Sequence, residues 1–398
     1  LSTKEVNWKE LESKVFMPVF KRVPVTLVRG KGTKVWDDTG KEYLDFVAGI
    51  AVTSLGHCHP VLVKALTKQA NTLIQTSNLF YSIPQLQLAE LLVKTSCLDY
   101  AFIGNSGTEA VEGAIKLARR YGKVKLDGAY EIITTTNSFH GRTLAATAAT
   151  GQNKMQEPYT PLPTGFINVP YNDIEAIKAA TTKITCAVML EPVQGEGGVN
   201  VPADDYLKKV RAWCDEKGIL LILDEVQTGI GRCGRLYAYE LFGVEPDIMT
   251  LAKGLGGGVP IGAFLAKESA CVFKRGEHGS TFGGNPLTCA AAFAVLSYIL
   301  DKKVPEHAAK MGLYLEDGLK KLAAKHDVIT EIRGKGLLLA VKFKSEIAES
   351  LMLECLENGL LVNNVKTDAL RLMPALIVTE KDIDRALAIL DKVLKERR

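Results

Sequence analysis

This sequence predicts an α/β fold: a large domain with a mostly parallel sheet flanked by helices, plus a smaller α/β domain built from both chain ends. Three observations carry that expectation. Apolar runs of strand length alternate with helical runs between residues 101 and 253, the pattern of a parallel sheet covered on both faces. Five of these runs end in polar, often glycine-rich turns, and ligands of open α/β sheets sit at the carboxyl ends of strands. The chain has 398 residues, 47% hydrophobic and 24% charged, enough for two to three domains with at least one large core.

Taken in order, the first 50 residues read as a short helix and then strands. PVTLVRGKG, TKVWDDTGK and EYLDF alternate between glycine turns. HPVLVKALTKQANTL and PQLQLAELLVKTS have helical periodicity. AFIG (101–104) is a short strand, and TEAVEGAIKLARRYG after it is an amphipathic helix. EIITTTN, TCAVMLEP, GILLILDE and DIMTLA are strands, with the helix DYLKKVRAWCDEKG between two of them. After about residue 290 the texture becomes helix, strand, helix: LTCAAAFAVLSYIL, GLLLAVKF, SLMLECLENG and DIDRALAILDKVLKER. The expected division is a large domain over 56–289, with 1–55 and 290–398 forming the smaller one.

Composition excludes several functions. The net charge of +4 is spread along the chain, and no basic stretch interleaves with aromatics, so no nucleic-acid partner is expected. Apolar runs such as ILLIL (219–223) are far too short to span a bilayer. Eight cysteines without a CxxC pair read as reduced thiols of a non-oxidising compartment. The expectation is the cytoplasm, and an organelle after leader removal also fits, because the chain starts at Leu1. No metal is expected. His57, Cys58 and His59 in GHCHP are spaced too tightly for a usual zinc site and read as a turn before a helix at Pro60.

The strand-end turns carry the chemistry. GNSGTEA (104–110) turns into a helix, so backbone N–H groups and the Ser106 and Thr108 hydroxyls converge. That is either an anion site suited to phosphate or an ordinary N-cap. GIGRCG (229–234) fits GxGxxG weakly, since DEVQT separates it from its strand. DEVQ (224–227) puts Asp224 and Glu225 after an apolar strand, where a carboxylate needs a partner: a bound cation, or a helix to cap. In LAKGLGGGVP, Lys253 precedes the glycines, which fails the phosphate-loop pattern. A lysine there is either a surface residue or a desolvated nucleophilic amine. Together, a phosphate cradle, a buried carboxylate and a desolvated lysine match the needs of pyridoxal 5′-phosphate.

From about residue 18 to the C-terminus the chain resembles the class III, or ω-amino acid, aminotransferases, which are fold-type I pyridoxal phosphate enzymes. WDDTGKEYLDFVAGIAV, GHCHP, NSGTEA, SFHGRT, EPVQGEGG, DEVQTGIGRCG, AKGLGGGVPIGA, HGSTFGGNP and LRLMP carry the resemblance. It implies that Lys253 joins the cofactor aldehyde, Asp224 pairs with the ring nitrogen and Gln227 lies near the ring 3′-oxygen. Phe139 and Val226 would face the ring, with His140 also at the cofactor. Ser106, Gly107 and Thr108 would hold the phosphate, with Thr281 completing the cradle from the neighbouring subunit of a homodimer. Arg142 would bind the α-carboxylate of an ω-amino substrate, or the side-chain carboxylate of glutamate. Arg371 would bind the α-carboxylate of glutamate or 2-oxoglutarate and be neutralised by Glu196 in the other half-reaction; a static ion pair is the competing reading. Ile50 stands where ornithine-using members carry a tyrosine, which favours N2-acetylornithine as substrate. Phe20, where relatives often have tyrosine, would lie at the outer pocket. Succinylornithine, ornithine, 4-aminobutyrate and N-succinyl-diaminopimelate are the alternative substrates. Isomerisation of glutamate-1-semialdehyde and a non-enzymatic cofactor-binding role are more distant ones.

Overall fold

The computed structural model of the protein describes residues 7–395. The first six residues of the N-terminal segment, and Glu396 and Arg397 of the last helical run, lie outside them. After a helix at Trp8–Val15, strands β1 (Leu27–Lys31), β2 (Lys34–Asp37) and β3 (Glu42–Asp45) form an antiparallel meander. The chain then makes a tight turn with φ of 49° at Ala48 and 63° at Gly49, Ile50 and Ala51. Left-handed backbone costs an L-residue about 1–2 kcal/mol, so three of these four residues are held there by their surroundings.

The central sheet contains β4 (Tyr100–Gly104), β5 (Glu131–Thr135), β6 (Phe166–Val169), β7 (Thr185–Leu190), β8 (Leu220–Asp224), β9 (Ile248–Leu251) and β10 (Gly262–Ala266). Their spatial order is β4-β10-β9-β8-β7-β5-β6. β10 is antiparallel to both neighbours, and the other six strands run one way. β7 and β8 are buried along their whole lengths, which is why they read as unbroken apolar runs. Leu190, Leu223 and Leu251 are fully buried, and truncating any one to alanine costs about 2–5 kcal/mol. β6 (FINV) and β10 (GAFLA) are not among the strands expected from the sequence.

The helix Gly107–Lys125 starts two residues after β4 and buries Val111, Ala114, Ile115 and Ala118 against the sheet. It lies close to β10, because a Cβ on Gly113 would fall 2.2 Å from the ring of Phe264. The chain crosses from β4, at one edge, to β5 near the other, and returns strand by strand to β9. That crossover brings the carboxyl ends of β4, β5, β7, β8 and β9 to one side of the sheet.

The C-terminal part contributes β11 (Ile329–Lys335), β12 (Leu338–Phe343), β13 (Leu360–Leu361), β14 (Asn363–Lys366) and β15 (Ala369–Leu372). β11, β12, β15 and β14 form an antiparallel sheet, while β13 pairs in parallel with β3 of the N-terminal meander. The two chain ends therefore share a sheet, and an Arg385–Glu42 contact of 2.7 Å adds to the join. The helices Val304–Ala323 and Glu380–Lys395 cover this part with their apolar faces.

Candidate active site

A cavity of about 470 Å³ opens at the carboxyl ends of β4, β5, β7, β8 and β9. Its size falls in the range of small-molecule sites. Lys253 follows β9 and opens a short 3-10 turn, Lys253–Leu255, with φ of 39°. Burial pushes its amine down from the ordinary lysine value; the Glu196 carboxylate opposes this and the Arg371 guanidinium adds to it. The result is a larger neutral, nucleophilic fraction.

Asp224 closes β8 with both oxygens fixed. Oδ1 accepts from the Thr250 hydroxyl at 2.9 Å and the Val226 N–H at 3.1 Å, while Oδ2 lies 2.7 Å from His140 Nδ1. His140 is buried, and its Nε2 has no partner among the described residues. Glu225, next in sequence, points elsewhere and accepts the N–H groups of Ala238 and Tyr239 at 2.6 and 2.7 Å. The adjacent carboxylates thus divide the two readings, one in the cavity and one holding a turn.

At the end of β4, Ser106 is the N-cap of helix Gly107–Lys125 and accepts the Glu109 N–H at 3.3 Å. The capping reading therefore holds for its hydroxyl. It leaves the N–H groups of Gly107 and Thr108 in the first turn without an intrahelical acceptor, and both residues line the cavity. A Cβ on Gly107 would sit 2.9 Å from Val226 Cγ1, so glycine keeps this corner open. The Thr108 hydroxyl lies 3.0 Å from that of Thr143.

Arg371, on β15, is fully buried. Its Nη1 donates to Glu196 Oε1 at 2.6 Å and to Gln227 Oε1 at 3.1 Å, and Gln227 Nε2 donates to Glu196 at 3.0 Å. Arg371 Nη2 has no partner among the described residues. Burial alone would push the Glu196 carboxyl up, but the Arg371 and Lys253 charges and these hydrogen bonds hold it at about 2.

Phe139 lines the cavity, and the exposed guanidinium of Arg142 lies 5.4 Å from its ring centre. The cavity thus gathers Ser106, Gly107, Thr108, Phe139, His140, Arg142, Glu196, Asp224, Val226, Gln227 and Lys253, with Arg371 bonded behind Glu196. Besides Arg371, three expected residues lie outside the lining. Ile50 is 40% exposed on the left-handed turn, and Phe20 packs by Phe16 and Arg22. Thr281 is exposed, and its carbonyl accepts from Gln75.

Sequence reasoning gave no role to Glu191. It follows the buried apolar strand β7, much as Asp224 ends β8, and that is the available signal. Glu191 accepts the N–H groups of Phe139 at 2.9 Å and Gly195 at 3.0 Å, and burial pushes its carboxyl up to about 7 despite the nearby His140. Val52 and Asn105 also line the cavity and were not singled out. Among the described residues, no group of three or more His, Cys, Asp or Glu side chains could hold a metal ion; His57 instead pairs with Asp45 at 2.7 Å.

Comparison with known proteins adds three findings. The family profile described as aminotransferase class-III matches residues 17–394. The chain is 55% identical over 388 residues to an acetylornithine aminotransferase of Caldanaerobacter subterraneus subsp. tengcongensis, covering 97% of this chain and 99% of that one. Two solved structures share the fold. An ornithine aminotransferase from Toxoplasma gondii, described as having partial occupancy of PLP at its active site, superposes with a TM-score of 0.94 at 35% identity, covering 98% and 94% of the two chains. An acetylornithine aminotransferase from Elizabethkingia anophelis superposes with a TM-score of 0.87 at 38% identity, covering 98% of each.

Proposed function

The chain belongs to the class-III aminotransferases, and we propose that it transfers the terminal amine of N2-acetylornithine to 2-oxoglutarate with pyridoxal 5′-phosphate as cofactor. The products are N-acetylglutamate 5-semialdehyde and glutamate, a step of arginine biosynthesis. The observation that carries this reading is the buried Arg371, neutralised by Glu196 in the cavity that holds Lys253. The identity to acetylornithine aminotransferases supports the choice of acyl substrate.

The residues present fit the cofactor. Gly107 keeps a cradle open where a side chain would meet Val226, and the N–H groups at this helix start suit a phosphate. Asp224 is oriented on three sides for a cationic nitrogen. When bound, the cofactor supplies an aldehyde that captures amines and a protonated ring that withdraws electrons from the adjoining carbon. Phe139, Val226 and Gln227 line the cavity; Phe139 and Val226 would face the ring, and Gln227 would hold its 3′-oxygen. Lys253 is the covalent attachment point. Once free, its Nζ would take a proton from the carbon bearing the substrate nitrogen and return it to the carbon on the other side of that nitrogen, as base and then acid.

Substrate choice follows from charge. While Glu196 neutralises Arg371, the inner wall has no free cation to hold a carboxylate, so an ω-amine can approach Lys253 and leave its α-carboxylate at Arg142 near the mouth. Glutamate brings a second carboxylate, for which Arg371 offers its unpartnered Nη2 and a planar fork. Ile50, without a hydroxyl, favours an acylated over a free α-amine.

A homodimer completes the site in this reading. Leu79, Phe80, Tyr81, Ile83 and Phe282 are 84%, 68%, 94%, 72% and 64% exposed. Such apolar exposure marks an interaction surface, and it adjoins Thr281, which a second copy would supply to the phosphate. Eight free cysteines favour a reducing compartment, the cytoplasm, and no helix among the described residues is long and apolar enough to cross a membrane.

Steady-state assays with acetylornithine, succinylornithine, ornithine and 4-aminobutyrate against 2-oxoglutarate test the proposal. The highest kcat/KM is expected for acetylornithine. A clear preference for ornithine or 4-aminobutyrate overturns it.

A further inference from the structure

The GHCHP segment has no part in the chemistry above, yet it is bonded to Asp45 at the entrance of the left-handed turn after β3, the turn that carries Ile50. Asp45 Oδ1 accepts the N–H groups of Val47 at 2.8 Å and Ala48 at 2.9 Å, at the entrance of the turn. Asp45 Oδ2 lies 2.7 Å from His57 Nε2. His57 is fixed by its backbone, which exchanges two hydrogen bonds with Gly32 at 2.8 and 2.9 Å. Space around the ring is tight, since a Cβ on Gly30 would fall 2.7 Å from it.

The turn itself is strained. Ala48, Ile50 and Ala51 all have positive φ, and Ile50 is β-branched, the residue class least suited to that region. Strain of this kind persists only where the surroundings over-determine it, and it clusters at functional sites. On its far side the turn meets the lysine loop: the Ser54 hydroxyl donates to the Gly254 carbonyl at 3.0 Å. Val52, one residue past the turn, lines the cavity, while Ile50 is exposed.

We propose that Asp45 and His57 are a positioning pair that latches the Ala48–Ala51 turn in its left-handed form, so that Val52 and the adjoining wall fit the outer part of the ω-amino substrate. This rests on the aminotransferase reading above. Acetylornithine is longer than glutamate and reaches further toward the mouth, so slackening the turn weakens its binding selectively. The lysine chemistry is untouched.

The test measures both half-reactions of the cofactor-loaded enzyme and amide hydrogen exchange over residues 47–53. In His57→Ala, KM for acetylornithine is expected to rise about tenfold, since even a small displacement far from the chemistry can have effects of this order. kcat, the KM for glutamate and the absorbance of the bound cofactor stay near wild type, and exchange at Val47 and Ala48 accelerates. His57→Gln, which keeps a donor for Asp45, restores the KM. So does adding Ala51→Gly to His57→Ala, because glycine accepts positive φ without strain. If His57→Ala does not fold, Asp45→Asn is expected to show the same selective rise. Equal losses with both substrates, unchanged exchange, or no recovery with Ala51→Gly overturns the latch. A wild-type enzyme that prefers another ω-amine would sink the substrate assignment instead, and the latch would then be judged on that amine.

Discussion

Replacing Glu196 with alanine should convert the enzyme from one that handles two kinds of amine to one that favours glutamate. The Glu196 carboxyl is held at about 2 against an ordinary 4.5, and one pH unit corresponds to about 1.4 kcal/mol. The charged form is therefore favoured by roughly 3 kcal/mol, and solvent contact trims this, since the side chain is 27% exposed. Arg371 has no such exposure, and stripping the partner from a buried charge is costly, about 3–5 kcal/mol. In Glu196→Ala, a substrate carboxylate is expected to take the vacated place. Glutamate's half-reaction should keep or gain kcat/KM, whereas that of acetylornithine should fall about ten- to a hundredfold, equivalent to roughly 1.4–2.8 kcal/mol. Single-turnover measurements of cofactor absorbance with each donor separate the two. Equal losses in both half-reactions, or a larger loss with glutamate, would refute the switch and leave a static ion pair. The sign with pH also follows: the pair's stability is present above the ordinary carboxyl value and is lost as pH falls toward 2.

Three further outcomes are expected. Burial pushes the Glu225 carboxyl up to about 8, so the folded protein keeps a proton that the unfolded chain has released, and stability is lost as pH rises through that value; in thermal melts Glu225→Gln should gain on the wild type between pH 5 and 9, and a constant or shrinking difference contradicts this. Gly107→Ala places a Cβ 2.9 Å from Val226 Cγ1 and should weaken cofactor binding at least about tenfold, since overpacking costs roughly 1–3 kcal/mol; absorbance titration of the cofactor-free protein would read it, and unchanged affinity would move the phosphate elsewhere. Leu79→Asp with Tyr81→Asp puts charge on the exposed apolar stretch and should give an inactive monomer by light scattering; an active monomer excludes a shared site.

Much of the site could be read from the sequence because strand ends announce themselves. Asp224 ends an unbroken apolar run and Lys253 follows one interrupted only by Thr250, and such runs occur where a parallel strand is buried on both faces. Phe139 and Glu196 sit in turns marked by glycines. Harder to read was anything depending on neighbours distant in sequence. β10 lies between β4 and β9 against the direction of both, and nothing local in GAFLA says so. The left-handed backbone at Ile50 and Ala51 is invisible in residue type, because it is imposed by Asp45 and its neighbours against intrinsic preference. Glu191 stands in EPVQGEGG, but its hold on both Phe139 and Gly195 appears only when β5 and β7 lie side by side. Thr281 and Phe20 lie outside the cavity of a single chain, and sequence alone does not distinguish a remote residue from one that a second copy brings in.

The most direct test of the central claim is to reduce the cofactor-loaded enzyme with borohydride and map the modified peptide by mass spectrometry, with and without prior addition of glutamate. A pyridoxyl group is expected on Lys253, largely lost when glutamate is added first. Modification at another lysine, or labelling of Lys253 that glutamate leaves unchanged, would contradict it.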